Sequence, residues 1–195
     1  MATARRLGAQ GSAVRAQFVD AAEAILSEVG YHGISARLVA ARAGLKTQLL
    51  YYYFRTMDDV MLALVERVNV RRETRFAEAM AEAEPLAALW RMMTDPSSAT
   101  LAAELSAMAN HRPAIRDYIV ESATQFRKKQ VVSVAALLTR AGVDTDRFAP
   151  EGVVMMAAAL ARILVVESSL GLTEGHAAAQ KIVDDLLAQW EVESQ

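Results

Sequence analysis

Between Ser35 and Phe54 the chain reads SARLVAARAGLKTQLLYYYF, and this stretch restricts the fold more than any other. Ser35 has the chemistry of an N-cap and starts a short helix to about Arg42, with Leu38, Val39 and Ala43 on its apolar side. Gly44 supplies a tight turn, because glycine takes a positive φ without steric cost. A second short helix begins near Thr47, which offers an N-cap hydroxyl, and ends around Phe54. Ala40 is small where the two helices must approach closely. Leu50 and Phe54, four residues apart, give the second helix one buried stripe. A short helix, a glycine turn and a second short helix form a helix-turn-helix.

Three consecutive tyrosines, Tyr51, Tyr52 and Tyr53, cannot share one face of that second helix. At about 100° per residue they fan out over most of its circumference. At least one must face away from the core. The side opposite Leu50 and Phe54 carries Lys46, Thr47, Gln48, Tyr51 or Tyr52, and Arg55. Glutamine can bond adenine bidentately, threonine and tyrosine can meet a thymine methyl, and lysine or arginine can meet guanine or phosphate. Read without DNA, the same tyrosines are ordinary partly buried aromatics.

Charge is distributed unevenly. Residues 1–57 hold seven Lys/Arg and three Asp/Glu, a net of +4, whereas the rest of the chain carries −6. A basic head on an acidic body is expected where only the head meets a polyanion.

The remaining chain reads as helix after helix, about nine in all, with no strand pattern and no internal repeat. The first runs from about Ser12 to Val29, with Phe18, Ala22, Ile25 and Val29 at helical spacing, and Gly30 stops it. Thr56 caps a fourth helix, with Asp58 and Asp59 in its first turn facing the positive end of the dipole. Breaks follow at Pro85 and TDPSSAT. A long helix spans Pro113 to about Arg140, AGVDTDRFAP is a loop, and a last helix reaches about Val192. Apolar residues make up 53% of the sequence and mean hydropathy is +0.16, so a sizeable core can form. The apolar segment Gly152–Gly171 is interrupted by Arg162 and Glu167, so a buried helix is expected there in preference to a membrane span, which needs about 20 strongly apolar residues. With no cysteine there is no disulfide framework and no thiolate metal site, which fits a reducing cytoplasm. MATARRLGAQGSAVRAQ has no apolar run and is not a secretory signal. Enzymatic chemistry finds little support. There is no glycine-rich phosphate loop and no cysteine nucleophile. No Glu-x-x-His pair is present either, as a ferritin-like metal bundle would need. No cofactor is expected.

AAEAILSEVGY, SARLVAARAGL and LLYYYF, within residues 15–65, together resemble the DNA-binding domain of the tetracycline-repressor (TetR) family of bacterial transcriptional regulators. The resemblance implies an N-terminal helix-turn-helix domain, placed at residues 1–56, and a helical effector-binding and dimerisation domain, placed at 57–195. It implies that Ser35 caps its helix and meets phosphate. Arg37 falls at the start of the helix that Ser35 caps, where a base contact can be made. Thr47, Gln48 and Tyr51 fall on positions that reach the major groove, with Lys46 beside them, and Tyr52 and Tyr53 fall where side chains grip phosphates. Many members carry a phosphate-binding lysine where Met57 stands, a contact that Arg55 would replace. Small residues are common where Gln48 and Leu49 stand, so this base-reading surface is bulkier. Leu38 occupies a position more often polar.

The resemblance also implies a small-molecule pocket and a homodimer formed through the last two helices. Trp90, Met93, Leu105, Met108, Tyr118, Phe126 and Met156 are pocket candidates, methionines adapting to varied ligand shapes. Each has simple core packing as its alternative. Ile182, Leu186 and Trp190 recur at helical spacing, and two such helices per subunit would build a four-helix bundle across a two-fold axis. Arg162 and Glu167 could orient a polar ligand group, pair with each other, or lie at the dimer surface. RKKQ at 127–130 reads as a solvated face. The expected function is a cytoplasmic, ligand-responsive repressor that binds a palindromic operator in double-stranded DNA and releases it on binding a lipophilic or aromatic effector. The alternatives are an effector-independent regulator and a helical small-molecule-binding protein with a vestigial DNA head.

Overall fold

The computed structural model describes residues 12–190, apart from the side chains of 98–100. Among the described residues the protein is all-α: α1 (Ala13–Val29), α2 (Ala36–Arg42), α3 (Thr47–Tyr53), α4 (Met57–Met80), α5 (Pro85–Met93), α6 (Pro96–Ala109), α7 (Pro113–Arg140), α8 (Pro150–Ser169) and α9 (His176–Trp190), with one 3-10 turn at Tyr31–Gly33. Arg5 and Arg6 of the basic head, and the expected helix end at Val192, lie outside the described residues.

The helices form two compact units. The first takes in the described residues through Asn69 together with Leu101–Val120; the second takes in Val70–Thr100 and the chain from Glu121 onward. The division therefore does not fall at residue 56. The first turns of α4, the end of α6 and the start of α7 all belong with the helix-turn-helix.

In the first unit, Phe18, Ala22, Ile25 and Leu26 of α1 form the base of a core. Val39 and Ala40 of α2, Leu50 of α3, Phe54, and Val60, Met61 and Leu64 of α4 close over it. Leu101, Leu105 and Met108 of α6 and Ile115 of α7 complete it. Helices this short hold only through such burial, since isolated helices under about 12 residues are marginal in water. Their ends are fixed locally. Ser12 Oγ accepts from the Arg15 amide (3.1 Å) and Ser35 Oγ from the Leu38 amide (3.3 Å). The Thr56 amide donates to Asp59 Oδ2 (2.9 Å) and the Asp59 amide donates to Thr56 Oγ1 (3.2 Å), a reciprocal capping box. Thr47 does not cap α3. Lys46 holds the extended cap position without a side-chain bond and Thr47 is the first helical residue. The Tyr31 amide donates to Glu104 Oε2 (2.7 Å), and Arg112 bonds both Asp58 and the Tyr31 hydroxyl, tying the 3-10 turn to α4 and α6.

In the second unit, Phe76 and Ala79 of α4, Leu86, Ala88 and Leu89 of α5, Phe126, Val134 and Leu138 of α7 and Val154 of α8 form the core. α5 packs against both α8 and α9. Pro150 begins α8 two residues before the expected Gly152, and Pro96 begins α6 inside the expected break, because proline suits the first helical turn. The expectation that α8 is a buried helix holds for one stripe only. Val154, Ala161 and Val165 are buried, while Met155, Ile163, Val166 and Leu170 on the opposite side are exposed. The sequence shows that the helix is apolar all round. It does not show that this chain alone supplies too few neighbours to cover it.

Candidate nucleic-acid interface

The turn between α2 and α3 is set by Gly44 at φ 68°, with the Leu45 amide donating to the Ala40 carbonyl (2.9 Å). A side chain at this φ would be strained although the space around it is open. With α3 fixed by Leu50 and Phe54, which are both buried, its other side is presented to solvent. Gln48, Tyr51 and Tyr52 are exposed there, the tyrosines at 50% and 48%. Thr47 is half-buried, while Lys46 and Arg55 at the two ends of α3, and Ser35 and Arg37 at the start of α2, are exposed.

The three tyrosines separate by role. Tyr53 is half-buried and packs its ring against Phe18 of the core at 6.5 Å, so it is not positioned like the exposed pair. Tyr52 stands edge-on to Tyr53 at 5.2 Å and 89°. This gives an exposed tyrosine a rigid aromatic backing, since edge-to-face rings are attractive. Phe54 is likewise edge-on to Phe18 at 6.4 Å, with the Arg15 guanidinium over its ring at 4.9 Å. Met57 packs against the same core, and so cannot take the place of a phosphate-binding lysine.

The electrostatics of this face follow from ion pairing. All three carboxylates of residues 12–57 are ion-paired: Glu28 with Arg42, and Asp20 and Glu23 both with Arg67 of α4. Among the described residues Arg37, Lys46 and Arg55 have no ion pair, so their positive charge is uncompensated beside the Gln48–Tyr52 surface. Hydroxyls and a carboxamide on the exposed side of α3, with unpaired cations at its two ends and on α2, supply the groups that a polyanion with readable base edges requires.

The second unit holds a cavity of about 300 Å³ between α5, α7, α8 and α9. Trp90, Met93 and Met156 line it, as do Gln130 of α7 and Phe148 of the loop before α8. The other pocket candidates lie elsewhere. Leu105 and Met108 are in the core of the first unit, where Tyr118 also packs. Phe126 is buried in the second core, its ring edge-on to Phe76 at 5.4 Å and covered by the Arg72 guanidinium at 4.1 Å. Desolvation by burial lowers the pKa of Arg72 from its ordinary value, against the opposing charge of Glu73. Leu186 and Trp190, expected at a dimer surface, line the cavity in the same chain, and Trp190 is edge-on to Phe148 at 5.2 Å. Ile182 lines the cavity rim and is 62% exposed. Glu167 does not pair with Arg162. Its Oε2 meets His176 Nε2 at 2.8 Å, joining the end of α8 to the start of α9, and Arg162 is exposed. RKKQ is not uniformly solvated either, because Gln130 is buried. Gln130 falls four residues after Phe126 and four before Val134, so a polar side chain on a buried stripe was the available signal.

Comparison with known proteins places this geometry. Residues 18–64 match the family of bacterial regulatory proteins of the tetR type. No curated protein matches the sequence. Among solved structures, a regulator from Rhodococcus sp. assigned to the TetR family superposes with a TM-score of 0.71 at 16% identity, over 93% of this chain and 100% of that one. FadR, the fatty acid degradation regulator of Bacillus halodurans, gives 0.67 at 21% identity, over 92% of this chain and 96% of that one. A protein of Saccharomonospora viridis assigned as a transcriptional regulator, solved with choline, gives 0.68 at 20% identity, over 80% of this chain and 85% of that one. These identities speak for the fold, and the match at residues 18–64 speaks for the domain that carries the exposed α3 edge. The helix-turn-helix domain at residues 18–64 is thus of the tetR type of bacterial regulatory proteins, on a chain whose fold is that of the Rhodococcus regulator.

Proposed function

We propose that the protein is a homodimeric repressor, acting in the cytoplasm, that binds a palindromic operator through α3 and releases it when a small lipophilic or aromatic effector enters the second unit. The observation that carries the DNA-binding reading is the exposed edge of α3, with Gln48, Tyr51 and Tyr52 flanked by the unpaired cations Arg37, Lys46 and Arg55. Gln48 sits in the first turn of α3, the end of a recognition helix that enters the major groove, and its amide suits adenine. Tyr52 lies one turn on, where a hydroxyl can donate to a phosphate oxygen, and Ser35 and Arg37 reach the backbone or a base from the start of α2.

The cavity supports the effector reading, since a preformed apolar pocket is the usual form of a small-molecule site. The Saccharomonospora viridis protein was solved with choline, so a protein of this fold can hold a small molecule. α4 and α7 each have segments in both units, which gives effector binding a continuous covalent route to the helix-turn-helix. An effector can drive release only by its differential affinity for the two states. Dimerisation through α8 and α9 is supported by the exposed apolar stripe of α8 and by Ile182 on α9.

Footprinting the DNA upstream of the protein's own gene tests the regulator reading, with a protected palindrome expected and no protected site counting against it. Adding candidate lipophiles to the footprint tests the effector reading. Loss of protection is expected, and protection unmoved across the panel would favour an effector-independent regulator.

A further inference from the structure

Gln130 is the one polar residue among the buried side chains of the described core, at 6% exposure. It lines the cavity of the second unit, and its carboxamide is not among the fully enclosed unpaired atoms of the described residues, so it opens onto that apolar space. A carboxamide that meets an apolar cavity needs a hydrogen-bonding partner there. The other polar atoms near the cavity are mostly spoken for. The Trp90 indole donates to Gln180 Oε1 (3.2 Å), and the Gln180 amide donates to Asp184 (2.8 Å). The Trp190 indole N–H belongs to the last described turn. Among the described residues no ionisable side chain lines the cavity.

We infer that the cavity takes an uncharged lipophile bearing a single hydrogen-bonding group, such as a hydroxyl, ketone, ester or amide, and that Gln130 is the residue that selects it. This rests on the effector reading above and narrows it. A carboxylate would lose its hydration and find no opposite charge, which is the most expensive form of burial, and a quaternary ammonium would recover only part of what it loses from the rings of Trp90, Phe148 and Trp190. A neutral polar group would instead satisfy Gln130 as it enters, because a carboxamide both donates and accepts. A wholly apolar molecule would fill the space and leave Gln130 unbonded. The volume of about 300 Å³ sits at the lower bound for small-molecule pockets, so the guest is small.

Both tryptophans of the chain, Trp90 and Trp190, line the cavity, so intrinsic fluorescence reports its occupancy without a label. The test titrates the full-length protein, with no DNA present, with 1-decanol, decanoate, decyltrimethylammonium and butylbenzene. Decanol is expected to bind at least tenfold more tightly than decanoate or the ammonium at neutral pH. Gln130→Leu should weaken decanol about tenfold while leaving butylbenzene unchanged or tighter. Gln130→Met, a second isostere without hydrogen bonding, should behave alike. Charged probes binding as well as decanol would overturn the inference, as would no probe perturbing the fluorescence. So would a parallel loss of decanol and butylbenzene in both variants, which would make Gln130 merely structural. Because no operator enters the assay, decanol that binds as expected yet fails to release DNA would contradict the effector reading and leave this selectivity standing.

Discussion

At the scale of residues, neighbouring side chains of one helix carry different duties. Gln48 and Tyr52 are both exposed on α3, one turn apart, yet only Tyr52 is backed by an aromatic ring. A carboxamide that exchanges two hydrogen bonds with a base discriminates among bases, whereas a hydroxyl on phosphate does not. Gln48→Ala should therefore cost about 1–3 kcal/mol on the preferred operator and relax preference at one base pair. Tyr52→Phe should weaken all sequences alike by about 1 kcal/mol, the scale of one hydrogen bond. Binding measured against an operator with every base pair varied separates the two, and base preference altered by Tyr52→Phe alone would reverse the assignment. The sequence made plain that Tyr51–Tyr53 could not share a face. It could not show which one turns inward, because Tyr53 packs on Phe18, thirty-five residues earlier in the chain. The burial of Gln130 is hard to read from sequence for a related reason. It closes a run of cations, and only its place on the Phe126–Val134 stripe reveals that it is buried.

At the scale of elements, local chemistry was the most legible part. Ser35 and Thr56 cap their helices where the sequence places them, since capping needs only residues within one turn. The start of α6 was less legible. Asp95 precedes Pro96 and accepts from the Ser97 amide (3.0 Å) and hydroxyl (2.8 Å) and from Arg75 (2.8 Å), the last a contact no local rule supplies. Burial opposes ionisation of Asp95, but these Ser97 bonds and the Arg75 charge outweigh it and hold the carboxyl below its ordinary pKa. A carboxyl whose pKa is lowered on folding stabilises the native state above its unfolded value, about 3.9. That contribution fades as pH falls through the lower folded value. Asp95→Ala is thus expected to cost about 1 kcal/mol at neutral pH, as for a lost cap. The gap from the parent should narrow in urea unfolding below about pH 3.9. A gap that stays constant into acid would mean that the charge of Asp95 contributes nothing.

At the scale of the whole molecule, the all-helical architecture and the helix-turn-helix could be read from periodicity and turns, but the grouping of helices could not. Leu105 and Met108 look like pocket residues in sequence, yet α6 delivers them to the same core as Phe18. Leu186 and Trp190 share a stripe with Ile182, yet they close the cavity of their own chain. Period alone says that a face is apolar without saying what covers it. The face left uncovered is that of Met155, Ile163, Val166 and Leu170, and the dimer we propose would bury it. Ile163→Glu should therefore yield monomers in sedimentation and remove operator affinity while leaving helix content intact, and an unchanged sedimentation coefficient would place the interface elsewhere. The central claim, that the α3 edge reads DNA, is tested most directly by selecting binding sites from random duplexes. Enrichment of a palindrome with half-sites roughly 34–36 Å apart, one helical turn, is expected. Affinity should also fall steeply between about 50 and 200 mM salt, because the unpaired cations displace counterions from the DNA. No enriched sequence, or an affinity flat across that range of salt, would contradict that claim.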